Sequence, residues 1–429
     1  MRIALIFVLL GALSACSSTP PAQAEAPVAE AAAPAAAASV AAAPVARASG
    51  TEVYVVERAS ETLAVYDYAE RSLREARIEG LGNLRHATMV FSQNLRWGYV
   101  ATRNGLLSRV DLATKTVDAE VQTSENSIDI AISQDSKWIA VAEYVPGGLT
   151  ILDSATLEVA HKFDADVITP GHTMEAGVIG APAVRSRVTG AVDAPGNRFV
   201  CVQMEAAEVW IITTNGGEFA IEHKIPTPRD LPYDAMITPD GRWYLVGHVG
   251  SDMVSVLDLT KPEAGMTQIS LLDPKETFER TQPVKLPHMA SWAVAGDSVF
   301  VPLVGEKRLV VLDRQTWAFK KSVPVRGHPV YAVRSPTERE IWVSFSGAEN
   351  DAWVDVIDTE AQEVTRSIEV GKRIYHMDFT PRGAYALITA NKDDLLALVD
   401  TSTYEIVDRQ TLKSPSGVFG MWRAFRIGL

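Results

Sequence analysis

His86, Tyr233, His288 and Tyr375 share one position in this chain. Each stands twenty-five residues before a recurring mark, an apolar pair closed by aspartate and followed by a turn bearing threonine or serine. The marks are Val65-Tyr66-Asp67, Val110-Asp111, Leu152-Asp153, Leu257-Asp258, Leu312-Asp313, Ile357-Asp358 and Val399-Asp400, with Ile212-Thr213 filling the one gap. The same count reaches Ile128 and Val188, and Arg187 and His376 lie beside two of the counted positions. A neutral imidazole is a transition-metal ligand, tyrosine or histidine can donate a proton, and Asp234 can take one or orient its neighbour Tyr233. Arg103, Arg185 and Arg187 add cations, and a guanidinium can grip both oxygens of a carboxylate. The plain alternative is that these polar groups cap backbone or line a water-filled channel.

The elements that position these residues are legible in the spacing of the marks. The intervals are 44, 42, 60, 45, 55, 45 and 42 residues. Periods near 45 built from short strands are the signature of a β-propeller. Within one unit four strands can be read, Ser127 to Ile132, Trp138 to Glu143, Gly148 to Asp153 and Leu157 to Phe163. Eight marks predict an all-β, eight-bladed β-propeller. The innermost strand of each blade starts at one face beside the axis, so residues at those starts converge on a funnel.

The first unit has room for only one strand before its mark, Glu52 to Glu57, while a spare strand, Gly417 to Ile427, follows the last. That strand is predicted to join the first blade and close the ring, which hides its edges. The two long intervals carry extra loops on the funnel face, 164–186 with Arg185 and 273–287 with Lys275, Arg280 and Lys285. Loops of that length in a tight repeat are often lids or partner surfaces. Trp97, Trp138 and Trp243 hold equivalent strand positions and read as packing between blades.

Residues 1–15 read as a lipoprotein signal peptide, because an eleven-residue apolar run is too short to span a bilayer and ends at Leu13-Ser14-Ala15-Cys16. Lipid on Cys16 would leave Cys201 alone, so no disulfide is expected. Residues 16–50, rich in alanine and proline, have no apolar period and read as a tether; residues 51–429 are the propeller. Ser17 rather than aspartate points to a periplasmic lipoprotein on the outer membrane. The formal net charge of −13 disfavours nucleic acid. There is no Cys-x-x-Cys-His, P-loop, dinucleotide glycine fingerprint, His-Glu-x-x-His or nucleophile elbow.

The stretch from Arg85-His86-Ala87-Thr88-Met89-Val90-Phe91-Ser92 to Arg96-Trp97-Gly98-Tyr99-Val100-Ala101-Thr102-Arg103-Asn104-Gly105 resembles the first blades of the haem d1 domain of cytochrome cd1 nitrite reductase. There a histidine at this place is the proximal iron ligand. With eight units, an export signal and no cytochrome c domain, the chain is similar to the haem d1 biosynthesis proteins related to that domain. The resemblance implies non-covalent binding of haem d1 or its tetrapyrrole precursor in the funnel. His86 would ligate the iron, Arg103, Arg185 and Arg187 would hold carboxylates, and Tyr233, Asp234 and His288 would stand over the open face.

Two departures count against nitrite reduction. Where the reductase has two distal histidines this chain has Tyr233-Asp234 and Pro287-His288, so that one is replaced and His288 stands for the other, and the cytochrome c domain through which electrons would enter is missing; Asn126, where an arginine is expected, is a further difference from the pattern. A carrier and an enzyme altering a tetrapyrrole side chain, for instance by dehydrogenation with an external electron acceptor, both remain open. Cytochrome cd1 nitrite reductase and other d1-maturation proteins are the implied partners. The rival reading is a membrane-tethered propeller scaffold without a cofactor. A quinoprotein or lactonase propeller would need metal-binding acids at the axis.

Overall fold

The computed structural model describes residues 49–167, 185–229, 231–273, 275 and 292–428. The signal, the tether, Cys16, His288 and most of the two long loops therefore lie outside the described residues. The rest forms eight four-stranded antiparallel sheets. Blade 2, for example, runs Thr88–Phe91, Trp97–Ala101, Leu106–Asp111 and Thr116–Gln122 from the axis outward.

Every mark ends the third strand of a blade, at Asp67, Asp111, Asp153, Thr213, Asp258, Asp313, Asp358 and Asp400. Local chemistry explains the recurrence. The Asp67 carboxylate accepts the N–H groups of Ala69 and Glu70 at 2.9 and 3.1 Å, and Asp111, Asp153, Asp313, Asp358 and Asp400 repeat the pattern. These turn bonds hold Asp313 and Asp400 below the usual carboxylate range. Four residues after the mark the chain takes a positive φ, as at Arg71, Lys115, Leu157, Trp317, Gln362 and Tyr404, and turns into the outer strand.

The two middle strands of a blade are buried on both faces. Glu52–Glu57 and Thr62–Asp67 are buried throughout, whereas the outer strand Thr116–Gln122 alternates exposed and half-buried. The cause is blade-on-blade packing. The eight hydrophobic clusters among the described residues each join one blade to the next, including Tyr54, Phe91 and Phe419 between blades 1 and 2 and Val53, Leu387 and Leu398 between blades 8 and 1. Trp97, Trp138 and Trp243 each pack against one of these clusters.

Pro415–Gly420 is the innermost strand of blade 1, pairing Tyr54 with Phe419 and Val55 with Val418. The ring is therefore closed by the C-terminal strand. It is shorter than the sequence suggests, because its partner runs out at Glu52 and Met421–Phe425 winds into a 3₁₀ turn.

Candidate functional site

The innermost strands should be regular ladders, yet six of the eight break register close to their starts. Paired residues jump from Ser127 to Asp129, Thr189 to Val192, Pro232 to Ala235, Pro329 to Tyr331, Ile374 to His376 and Pro415 to Val418. A β-bulge of this kind bends the strand and re-aims side chains, and bulges concentrate beside functional sites. Of the residues left out of the ladders, Ile128, Gly190, Ala191, Tyr233, Asp234, Tyr375, Ser416 and Gly417 line one axial cavity of about 290 Å³. His86, Asp129, Tyr331, His376 and Arg423 complete much of its wall.

The wall is a phenol and carboxylate array. Tyr144 and Tyr233 meet hydroxyl to hydroxyl at 2.9 Å. Thr189 Oγ1 donates to the Tyr233 carbonyl, and the Gly190 N–H donates to Asp129 Oδ2 at 2.7 Å. Gly190 itself has φ +60, and the Tyr244 hydroxyl reaches its carbonyl at 2.7 Å. Burial pushes the Tyr144, Tyr233 and Tyr331 phenols well above their ordinary values; at Tyr233 the neighbouring Tyr144 and Asp234 add to the rise. All three are neutral proton donors at physiological pH. His376 moves the other way, to about 3, through burial and then the nearby Arg423.

Cations surround the array. The guanidinium groups of Arg103 and Arg187 lie 5.0 and 5.5 Å from the Tyr144 ring, and that of Arg58 lies 5.0 Å from the Tyr375 ring. Arg58 also donates to the Arg85 carbonyl, tying the blade 1 hairpin to the turn that carries His86.

The model of the cytochrome D1 heme domain matches residues 50–424, which is nearly the whole propeller. The chain belongs to that family. It is 38% identical over 388 residues to Protein NirF of Pseudomonas aeruginosa, covering 90% of this chain and 95% of the relative. It is 37% identical over 384 residues to Protein NirF of Stutzerimonas stutzeri, with 89% and 94% covered. Among solved structures, dihydro-heme d1 dehydrogenase NirN in complex with DHE matches with a TM-score of 0.73 and 23% identity, over 88% of this chain and 77% of that one. That likeness supports the propeller fold.

In this member of the family His86 ends a short turn, Leu84–His86, ahead of the innermost strand of blade 2 and stands exposed at the cavity wall. Tyr233 and Asp234 are the bulge residues of blade 5 and face the same cavity. Arg187 is buried and committed to Glu205, which accepts its backbone N–H at 2.8 Å and its Nε at 2.6 Å. Arg185 lies outside this cavity, donating to the Ala165 carbonyl at 3.1 Å and pairing with Asp164 at 3.2 Å.

Several residues that line the cavity or touch its lining escape the sequence reading. Asp129 is one residue past a counted position, and Tyr331 is displaced because the blade 7 bulge falls elsewhere. Tyr144 comes from a second strand, and Arg58 and Arg423 come from a hairpin and from the tail beyond the closing strand. No local pattern marks these three.

Proposed function

We propose that this chain binds haem d1 or its dihydro precursor in the funnel, as a late step of haem d1 biosynthesis serving cytochrome cd1 nitrite reductase. The observation that carries the reading is an exposed imidazole, His86, sharing one axial cavity with Tyr233 and Asp234 in a chain 38% identical to a NirF protein. A relative 27% identical over 346 residues is itself named dihydro-heme d1 dehydrogenase, which supports a d1-type tetrapyrrole as the ligand.

The residues present fit such a group. An iron tetrapyrrole would supply a metal centre there, and His86 is the protein group suited to ligate it. Ile128, Tyr331 and Phe419 offer apolar and aromatic surface to a planar ring. Among the described residues no carboxylate is paired with Arg103, so it is available to a carboxylate of the macrocycle, while Arg187 and Arg185 support the wall and the loop base through their own acids. Tyr233 stays protonated and can donate a hydrogen bond, and Asp234 beside it can accept one. His288 would join them over the open face. We also read residues 1–50 as export signal, Cys16 lipid anchor and tether, which would hold the propeller in the periplasm at the outer membrane near its maturation partners.

The test is the visible spectrum of the purified protein mixed with haem d1. Binding should shift the haem bands, and His86→Ala should abolish the shift; an unchanged spectrum and affinity in that variant refutes the ligand assignment. Incubation with the dihydro precursor, with and without an electron acceptor, separates enzyme from carrier. Product lost in Tyr233→Phe or His288→Ala marks an enzyme, and binding without conversion marks a carrier. Nitrite turnover with an artificial donor would overturn the reading.

A further inference from the structure

The tail beyond the closing strand crosses the axis of the ring. It leaves blade 1 at Gly420, and the Gly428 N–H reaches Asp193 of blade 4 at 2.8 Å. Ile427 packs into the cluster between blades 4 and 5, and Arg426 lies 3.9 Å from Asp378 of blade 8. Arg423, Phe425, Arg426 and Ile427 line two cavities of about 390 and 460 Å³ on the face opposite the funnel. Arg423 lines the funnel cavity as well, so it forms part of the funnel floor.

Arg423 is short of partners for its charge. A guanidinium carries five N–H donors. Among the described residues this one makes a single long hydrogen bond, to the Val418 carbonyl at 3.5 Å, and lies 5.2 Å from the Phe419 ring. No carboxylate among them pairs with it. Asp378, the nearest acid in charge terms, lines only the opposite cavity and is engaged by Arg426 and by the Phe379 N–H at 2.8 Å. Arginine does not shed its proton, so a half-buried cation, eased by Asp378 only through space and bonded to no carboxylate among the described residues, faces the funnel with most of its donors unused.

His376 shares the same floor. The Val418 N–H donates to its Nδ1 at 3.1 Å, so in the neutral ring Nε2 carries the proton. With Nδ1 taken, Nε2 is a second donor, held in place by the Tyr331 edge at 5.9 Å and the Phe419 ring at 6.0 Å. Two donors, one cationic, at the bottom of a funnel suit an acceptor with two oxygens and one negative charge.

We propose that Arg423 and His376 form a carboxylate site on the funnel floor that receives a side-chain carboxylate of the bound tetrapyrrole. The choice of tetrapyrrole rests on the function proposed above; the site itself does not. It adds a recognition point deep in the funnel, separate from the arginines at the rim, and assigns the tail the role of sealing one end and reading the ligand's charge.

The test uses the whole propeller with two ligands and two variants. Haem d1 with free carboxylates should bind wild type about ten- to a hundred-fold tighter than the same macrocycle with esterified carboxylates, the scale of a lost charge-assisted contact. Arg423→Gln should lose about tenfold of that preference, keeping only the part that Arg103 at the rim supplies, and Arg423→Lys should recover part of the loss. Equal discrimination by wild type and a folded Arg423→Gln, judged by its melting curve, overturns the proposal. Independently, acetate titrated into ¹⁵N-histidine-labelled protein should shift the His376 Nε2 signal in wild type and in Arg423→Lys but not in Arg423→Gln. If wild type binds no tetrapyrrole yet acetate shifts that signal, the ligand reading fails and the site stands; if acetate leaves the signal unmoved, the site fails.

Discussion

Glu205 offers a direct measure of how the funnel wall is held. Its carboxylate receives the Arg187 backbone N–H at 2.8 Å and Nε at 2.6 Å, with Nη2 also bound, and the two side chains are 1% and 10% exposed. Glu205→Leu strands the guanidinium in a site too dry to hydrate it. Breaking one side of a buried pair costs ~3–5 kcal/mol. The small remaining exposure of Arg187 favours the lower end, about 3 kcal/mol, which at roughly 2 °C per kcal/mol for a large domain lowers Tm by about 6 °C. Arg187→Met strands the more deeply buried acid and should cost at least as much. The double variant should regain more than half of the combined loss, because both charges leave together. Thermal and urea unfolding by circular dichroism measure all four proteins. Single losses below about 1 kcal/mol would place the pair with solvated surface bridges and refute the reasoning. The same set fixes the role of Arg187 at the ligand, since its guanidinium also lies 5.5 Å from the Tyr144 ring. A folded double variant that binds tetrapyrrole within about threefold of wild type keeps Arg187 as support, whereas a loss of about tenfold, ~1.4 kcal/mol, makes it a direct contact.

Gly190→Ala places a Cβ 2.8 Å from the Ala235 Cβ at φ +60, and should cost about 2 kcal/mol while disturbing Tyr233; a melting curve matching wild type would contradict this. Burial raises Tyr99 to about 12 and lifts Tyr54, Tyr66, Tyr144, Tyr233, Tyr244 and Tyr331 too, so their stabilisation is intact below about pH 10 and is lost as pH climbs through the folded values. Phenolate absorbance at 295 nm should therefore lack these seven in native protein at alkaline pH and gain them in urea; their appearance in the native state near pH 10 would refute the burial argument. Removing residues 415–429 leaves blade 1 with Glu52–Glu57 as an open inner edge and should abolish cooperative unfolding, to be restored in part by the missing strand added as a peptide. A sharp, monomeric melt without that strand would show that closure is dispensable.

The blade count was legible in the sequence because it rests on local chemistry. An aspartate that binds the next backbone N–H groups and a positive φ four residues on are fixed by neighbours in the chain, so each mark repeats whatever lies around it. The funnel was legible only in part, and the reason is the bulge. A regular strand alternates its side chains between two faces, whereas a residue left out of the ladder is freed from that alternation. The twenty-five-residue count landed on such residues at Ile128, Tyr233 and Tyr375, because in blades 3, 5 and 8 the bulge lies at the same distance from the mark. In blade 7 it does not, and the count passed over Tyr331 to reach Val333. The partner of Arg187 was within reach of the same reasoning, since Val188 pairs with Gln203 and the hairpin then brings Glu205 beside Arg187. Arg423 was not, because nothing in the few residues after Gly420 says that they leave blade 1 to meet blades 4 and 8. Among the described residues the chemistry of this propeller thus gathers where its repeat is broken, at the bulges of the innermost strands and in the tail that follows the closing strand.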